Sequence, residues 1–332
     1  MTPYWPVRGM PRPQYAPGGA ATGRAAGKDG LNHLAFLYDD ERDYLNSLST
    51  FVEAGLRKAE PAFVAVPGRR AGLLRERLGA ESPLLRYGAM AETGRNPARL
   101  IPELHAFVEE HPGQRVRYIG ESIWPGRSDA ELCEAARHEA LINLAFERAA
   151  VSIICPYDVH GLAAPVVGTV QRTHPAILRG GRTQPATGYA GRGVVPAECD
   201  DALPAPPADA QTLGYETSLR QARDFVASRG AALGMADDRI TNLVIAVGEI
   251  TANTLRHTSA GGTLWVWHTG EEIICQVQDQ GWITDPLAGR QRHSPENTGH
   301  GLWVVNQVCD LVEIRTSQAA GTIIRLHMRL GG

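Results

Sequence analysis

Beyond residue 30, apolar positions come in two alternating patterns, short unbroken runs and stripes spaced three or four apart. The run at 34–38 predicts a strand. The stripe Tyr44, Leu48, Phe51, Val52 and Leu56 predicts a helix over 40–58. PAFVAVP (61–67) reads as a buried strand, and 70–78 as a helix stopped by Gly79. VRYIG (116–120) and VSIICPY (151–157) repeat the strand pattern on either side of a long helix at 130–147. Unbroken apolar strands separated by helices predict an α/β unit, a parallel sheet covered on both faces, over 31–178.

The pattern lapses over 179–211, a Pro-, Ala- and Gly-rich stretch that reads as a linker, and resumes differently over 212–330. Helices are expected at 215–228, at 237–257 with Asp237 as its cap, and at 302–308. Alternating segments at 263–268 and 273–278 form a hairpin around Thr269-Gly270. A second hairpin, 311–316 with 322–328, turns at Ala320-Gly321. Helices on one face of an antiparallel sheet predict a two-layer α/β sandwich. Residues 1–29, rich in Pro, Gly and Ala, read as a disordered tail.

Composition narrows the function. A formal charge of -3 argues against direct DNA binding, which needs a basic surface. No apolar run has membrane-helix length, and the first residues lack the apolar core of a signal peptide. Five cysteines without a C-x-x-C pair suggest reduced thiols in a cytoplasm. Lysine occurs only at Lys28 and Lys58, so phosphate contacts in the second unit fall to Arg, His or backbone N–H.

Three signals in that unit carry chemistry. In Glu249-Ile-Thr-Ala-Asn253 a carboxylate and a carboxamide share one helix face, opposite the stripe Ile240, Leu243, Val244 and Val247. The amide oxygen suits Mg²⁺, and the carboxylate can take a proton from an attacking hydroxyl. The pair equally suits a solvated helix face. Asp279-Gln280-Gly281 closes a strand. Its Asp can accept from an exocyclic amino group and Gly281 lets a base approach, or the three form an ordinary turn. Gly299-His300-Gly301 precedes the helix opened by Leu302, which would aim free N–H groups at phosphate or simply end a loop. The polar loop 282–298, with Asp285, Arg290, Arg292 and His293, suits a mobile lid.

In order and placement this set resembles the N, G1 and G2 boxes of the GHKL ATPase superfamily, and within it the anti-sigma factor serine kinases of the RsbW type. The resemblance covers about 215–330. It implies a Bergerat fold binding ATP and Mg²⁺, with Glu249 as catalytic base and Asn253 as Mg²⁺ ligand. Asp279 would read adenine beside Gly281. Gly299 and Gly301 would hinge the lid ahead of Leu302, and Gly321-Thr322 matches the last hairpin. It implies phosphate transfer to a serine of an anti-anti-sigma (STAS-type) antagonist, alternating hold on a sigma factor, and a possible homodimer.

The first unit has no G-x-x-x-x-G-K-[ST]. The nearest string, Thr22 to Asp29, fails at its first Gly and last hydroxyl. His33 with Tyr38, the GLRKAEPAFVAVP run, Gly120-Glu121-Ser-Ile-Trp124-Pro125 and Cys155-Pro156-Tyr157-Asp158 resemble the MEDS sensory domain. That family is thought to sense small molecules, and its layout looks like a RecA-like sheet without a phosphate loop. His33, Cys155 and His160 have the residue types of a metal site. Without close helical spacing they are also ordinary buried or polar residues. Cys133 and His138, five apart, are poorly spaced. Tyr38 and Trp124 are alternative pocket-lining residues, giving His33, Tyr38, Trp124 and Cys155 as sensory candidates.

The leading reading is an ATP-dependent anti-sigma serine kinase governed by a sensor. A sensor histidine kinase would need a helical dimerisation hairpin where the Pro-rich stretch stands. A non-catalytic module gated by ATP would need no Glu249.

Overall fold

A computed structural model describes residues 30–90, 94–216, 218–258, 260–291 and 300–331. The tail reading of 1–29 lies outside these residues. The described chain forms two compact units, 30–199 and 200–331.

The first unit is a parallel α/β layer structure. Its strands are β1 (Asn32–Tyr38), β2 (Ala62–Ala65), β3 (Arg86–Tyr87), β4 (Val116–Gly120), β5 (Val151–Asp158), β6 (Ala176–Arg179) and β7 (Arg182–Pro185), ordered β3-β2-β4-β5-β1-β6-β7. All neighbours pair in parallel except β6 and β7. Helices α1 (Glu41–Leu56) and α2 (Gly68–Leu78) cover the face carrying Phe36, Tyr38, Val64, Ile119 and Ile154. Further helices of this unit among the described residues include α3 (Leu100–Glu109), α4 (Asp129–Ala145) and α5 (Ala164–Thr173). A Ser128–Glu131 capping box starts α4, so the chain enters that helix at a defined residue. The two-residue link Asp39-Asp40 joins β1 to α1, and Asp40 caps the helix beside Glu41 and Asp43. An acidic link this short has no glycines to wrap a phosphate.

The second unit is the sandwich expected. Strands β8 (Gln211–Tyr215), β9 (Gly262–His268), β10 (Glu272–Asp279), β11 (Leu311–Ser317) and β12 (Gly321–Arg329) form an antiparallel sheet ordered β11-β12-β10-β9-β8. Helices α6 (Leu219–Ala232), α7 (Asp237–His257) and α8 (Gly301–Val308) accompany it. The core runs through Val226, Leu243, Val247, Ile250, Leu264, Cys275, Val277, Val305 and Leu326. The alternation in β9 and β10 therefore turns Leu264, Val266, Cys275 and Val277 toward the helices.

The 179–211 stretch is more structured than a linker. Gly180 and Gly181, both at positive φ, turn a tight hairpin that adds β7 to the first sheet. Asp201 and Pro204 offer carbonyls to Arg315 and Arg325 on the outer face of the second sheet. The expected helix at 215–228 is also revised. Tyr215 ends β8, and the helix starts at Leu219 behind Ser218, whose hydroxyl accepts from Gln221 N–H. Asp237 is the first helical residue, not a bonded cap.

Candidate functional site

Glu249 and Asn253 stand one turn apart on α7, whose other faces are held in the core by Leu243, Val247 and Ile250. Asn253 is only 6% exposed and Glu249 is half-buried, so this face is not simply bathed in water. The head of α8 closes over it. A Cβ added at Gly301 would lie 2.9 Å from Asn253 Nδ2 and 3.0 Å from Glu249 Oε2. Glycine is what lets that backbone touch both groups. Asn253 Oδ1 accepts from Arg256 Nη1 at 3.2 Å, and Arg256 itself is exposed.

Asp279 reaches the same end of α7 from β10. Its Oδ2 accepts from Thr254 Oγ1 at 2.7 Å, and its Oδ1 from Gly281 N–H at 2.8 Å. The Tyr215 phenol donates to Thr254 Oγ1 at 3.0 Å, which completes a buried chain from β8 through α7 to β10. Burial pushes the Asp279 carboxyl up, and the bonds from Thr254 and Gly281 pull it partly back. Two accepted bonds leave lone pairs on the carboxylate for a ligand donor. The turn after Asp279 is fixed from below. Thr322 Oγ1 donates to the Gly281 carbonyl at 2.9 Å and lies 2.8 Å from Thr316 Oγ1. Gly321 has φ +79°, and a Cβ there would come within 2.1 Å of the Asp279 carbonyl oxygen.

Glu249, Asn253 and Gly301 are thus brought together, and Asp279 with Gly281 is tied to Thr254, the next residue along α7. Leu302 is fully buried, so its side chain serves the core. The Thr322 hydroxyl is engaged in supporting the turn. Gly299, Arg292 and His293 lie outside the described residues. The near half of the expected lid is fixed rather than free: Asn306 Nδ2 donates to the Gly289 carbonyl at 3.1 Å, and Leu287, Ala288 and Arg290 are buried. Tyr215, Thr254 and Thr316 were not singled out from sequence. Only Thr254 carried a cue, as a polar residue beside Asn253. An open groove along β8 and β9 includes Asp279 but not Glu249, Asn253 or Gly301.

Residues 215–328 match the model of the histidine kinase-like ATPase domain. Residues 32–175 match that of MEDS, the methanogen/methylotroph, DcmR sensory domain. The chain joins a MEDS domain to a histidine kinase-like ATPase domain. No curated protein matches it. The ATPase domain implies ATP as ligand, typically with Mg²⁺. No described helix is long and apolar enough to cross a membrane.

In the MEDS domain the four sensory candidates part company. His33 and Cys155 meet, with Cys155 Sγ 3.4 Å from His33 Nε2. Tyr38 belongs to the core on the α1–α2 side, under the Arg70 guanidinium at 5.2 Å. Burial pushes its phenol up to about 12 despite that cation. Arg70 also pairs with Glu121, which accepts from Tyr44 Oη at 3.1 Å. Trp124 is covered by Arg127, 4.0 Å above its ring. His160 is exposed beside Asp39, outside any site with His33 and Cys155. Sequence spacing gave no sign of the residues that do join those two, Glu139 and His174.

Proposed function

We infer that the protein is an ATP-dependent regulatory kinase of the anti-sigma type, in which the MEDS domain controls transfer of phosphate to a serine of an antagonist protein. The carrying observation is the packing of the α8 head against both Glu249 and Asn253, with Asp279 bonded to the residue next to Asn253. The donor set fits Mg²⁺–ATP. Asn253 offers a hard amide oxygen once the exposed Arg256 swings aside. Asp279 accepts from the adenine amino group, and Gly281 lets the base approach. The start of α8 faces phosphate with backbone N–H groups. Bound Mg²⁺–ATP supplies the phosphoryl group and offsets its charge. Glu249, half-buried beside the head of α8, takes the proton of an incoming serine hydroxyl.

The sigma factor and STAS-type antagonist rest on the resemblance to RsbW-type kinases. Against a histidine kinase, no helix precedes α6 among the described residues of 200–218. The test is to capture partners of the full chain with and without ATP and map the phosphorylated residue. Phosphoserine on a captured partner, lost in Glu249→Gln while ATP binding persists, supports the proposal. Acid-labile phosphohistidine on the chain itself, or equal transfer by Glu249→Gln, overturns it.

A further inference from the structure

The MEDS domain buries four metal-ligand types in one place. His33 comes from β1, Glu139 from α4, Cys155 from β5, and His174 from just after α5. The register pairs Cys155 with Ala35, so His33 lies two residues along on the adjacent strand and on the same face. All four side chains are at most 2% exposed, and one donor atom from each lies within 4.8 Å of the others.

Hydrogen bonds behind the cluster orient it. Asn143 Nδ2 donates to the carbonyls of Glu139 and Thr173, which turns Asn143 Oδ1 toward His33 Nδ1 at 3.0 Å. The Val170 carbonyl lies 3.0 Å from His174 Nδ1. Each neutral ring therefore carries its proton on Nδ1 and presents a bare Nε2 lone pair inward. Ser122 Oγ donates to Glu139 Oε1, leaving Oε2 for the interior. That Oε2 lies 3.3 Å from His33 Nε2 and 3.4 Å from His174 Nε2, yet it has no hydrogen-bond partner. Cys155 Sγ lies against His33 Nε2 and Tyr157 Oη against His174 Nε2, which leaves Glu139 Oε2 as the unpartnered acceptor of the cluster at full burial, costly without a cation beside it.

The spacing suits one. Ligands ~2.0–2.3 Å from a tetrahedral ion stand roughly 3.3–3.7 Å apart. Three of the six separations here are 3.3, 3.4 and 3.4 Å, and all six lie within 4.8 Å. Two neutral imidazoles, a carboxylate and a thiolate balance a divalent charge, so the loaded site is neutral in the core. The thiolate disfavours Mg²⁺ and Ca²⁺, and the nitrogen, oxygen and sulfur mixture suits zinc. The remaining polar neighbour, Tyr157 Oη, lies 3.3 Å from His174 Nε2 and can turn from it when that lone pair is taken.

We propose that His33, Glu139, Cys155 and His174 form a closed tetrahedral zinc site that ties both central strands of the MEDS domain to α4 and the end of α5. Four protein ligands leave no open position, so the ion is structural and its occupancy sets the order of the sensor.

The test uses the full chain stripped with a chelator and titrated with Co²⁺ alone. The expected result is saturable tetrahedral d–d absorption with a near-ultraviolet thiolate charge-transfer band, both displaced by Zn²⁺, and a melting temperature raised by Zn²⁺. Cys155→Ser should lose the near-ultraviolet band and keep d–d absorption, and His174→Gln should weaken Co²⁺ binding at least tenfold (about 1.4 kcal/mol). The wild-type spectrum and zinc content as purified carry the test should a variant fail to fold. A folded wild-type chain that takes up no Co²⁺, or d–d absorption without the thiolate band, overturns the site. So does a spectrum that both variants leave unchanged.

Discussion

Replacing Asp279 with Asn isolates the proposed reading of adenine, because the wall around this residue can keep its bonds. Gly281 N–H needs an acceptor, so the new amide places its oxygen there, where Asp279 Oδ1 accepts at 2.8 Å. The NH₂ group then faces Thr254, whose hydroxyl can accept from it and turn its own proton to the Ile250 carbonyl, 3.2 Å away. No buried group is orphaned, and a carboxylate that burial disfavours is removed, so stability should change by no more than about 1 kcal/mol. On the ligand side, a charge-assisted bond from an amino group is replaced by two facing donors. A lost bond to a charged partner costs ~1.5–3 kcal/mol, or roughly a 10- to 100-fold weaker Kd. Calorimetric titration with a non-hydrolysable ATP analogue and Mg²⁺ reads the affinity, and a thermal melt controls for the fold. In the wild type, affinity should fall as pH drops through the raised Asp279 pKa, and the Asp279→Asn variant should lack that dependence. Unchanged affinity in a variant that melts like wild type would refute the assignment of Asp279.

Two glycine variants should separate function from folding. Gly301→Ala places a methyl about 3 Å from the movable ends of Glu249 and Asn253, so the melt should change little while Mg²⁺-dependent nucleotide affinity falls at least tenfold in titration. Gly321→Ala meets a backbone carbonyl at positive φ and should cost about 3 kcal/mol or more in denaturant unfolding. On the outer face of the sheet, burial alone would lower His327, but the Glu272 and Glu313 carboxylates raise it to about 9. A pKa raised on folding stabilises fully below the unfolded value of ~6.5 and is lost as pH rises through about 9. Urea unfolding should therefore show a loss of roughly 3 kcal/mol between pH 6 and 10, absent in His327→Gln.

Much of the fold and part of the site were legible because their causes are local. The apolar runs at 34–38, 61–67, 116–120 and 151–157 became parallel strands, and Glu249 and Asn253 shared a helix face because four residues make about one turn. The β6–β7 hairpin was missed although Gly180-Gly181 signals it, because the surrounding prolines dominated the pattern. Tyr215 passed for helix because the three polar residues between β8 and α6 left no break in the apolar spacing. What stayed hidden depends on the meeting of distant segments. Nothing near Gly301 says that its Cα abuts Asn253. Nothing in the spacing of His33, Glu139, Cys155 and His174 says that the crossovers of the parallel sheet bring them together, and His160, nearer Cys155 in sequence, sits at the exposed strand end instead.

The decisive observation is a crystal structure of the full chain grown with a non-hydrolysable ATP analogue and Mn²⁺ in place of Mg²⁺, with the metal located by anomalous scattering. The expected map has the adenine amino group on the Asp279 carboxylate, the phosphates at the head of α8, and the metal on Asn253 Oδ1 with Arg256 displaced. A nucleotide bound elsewhere in the ATPase domain, or a metal held without Asn253, would contradict the proposed site.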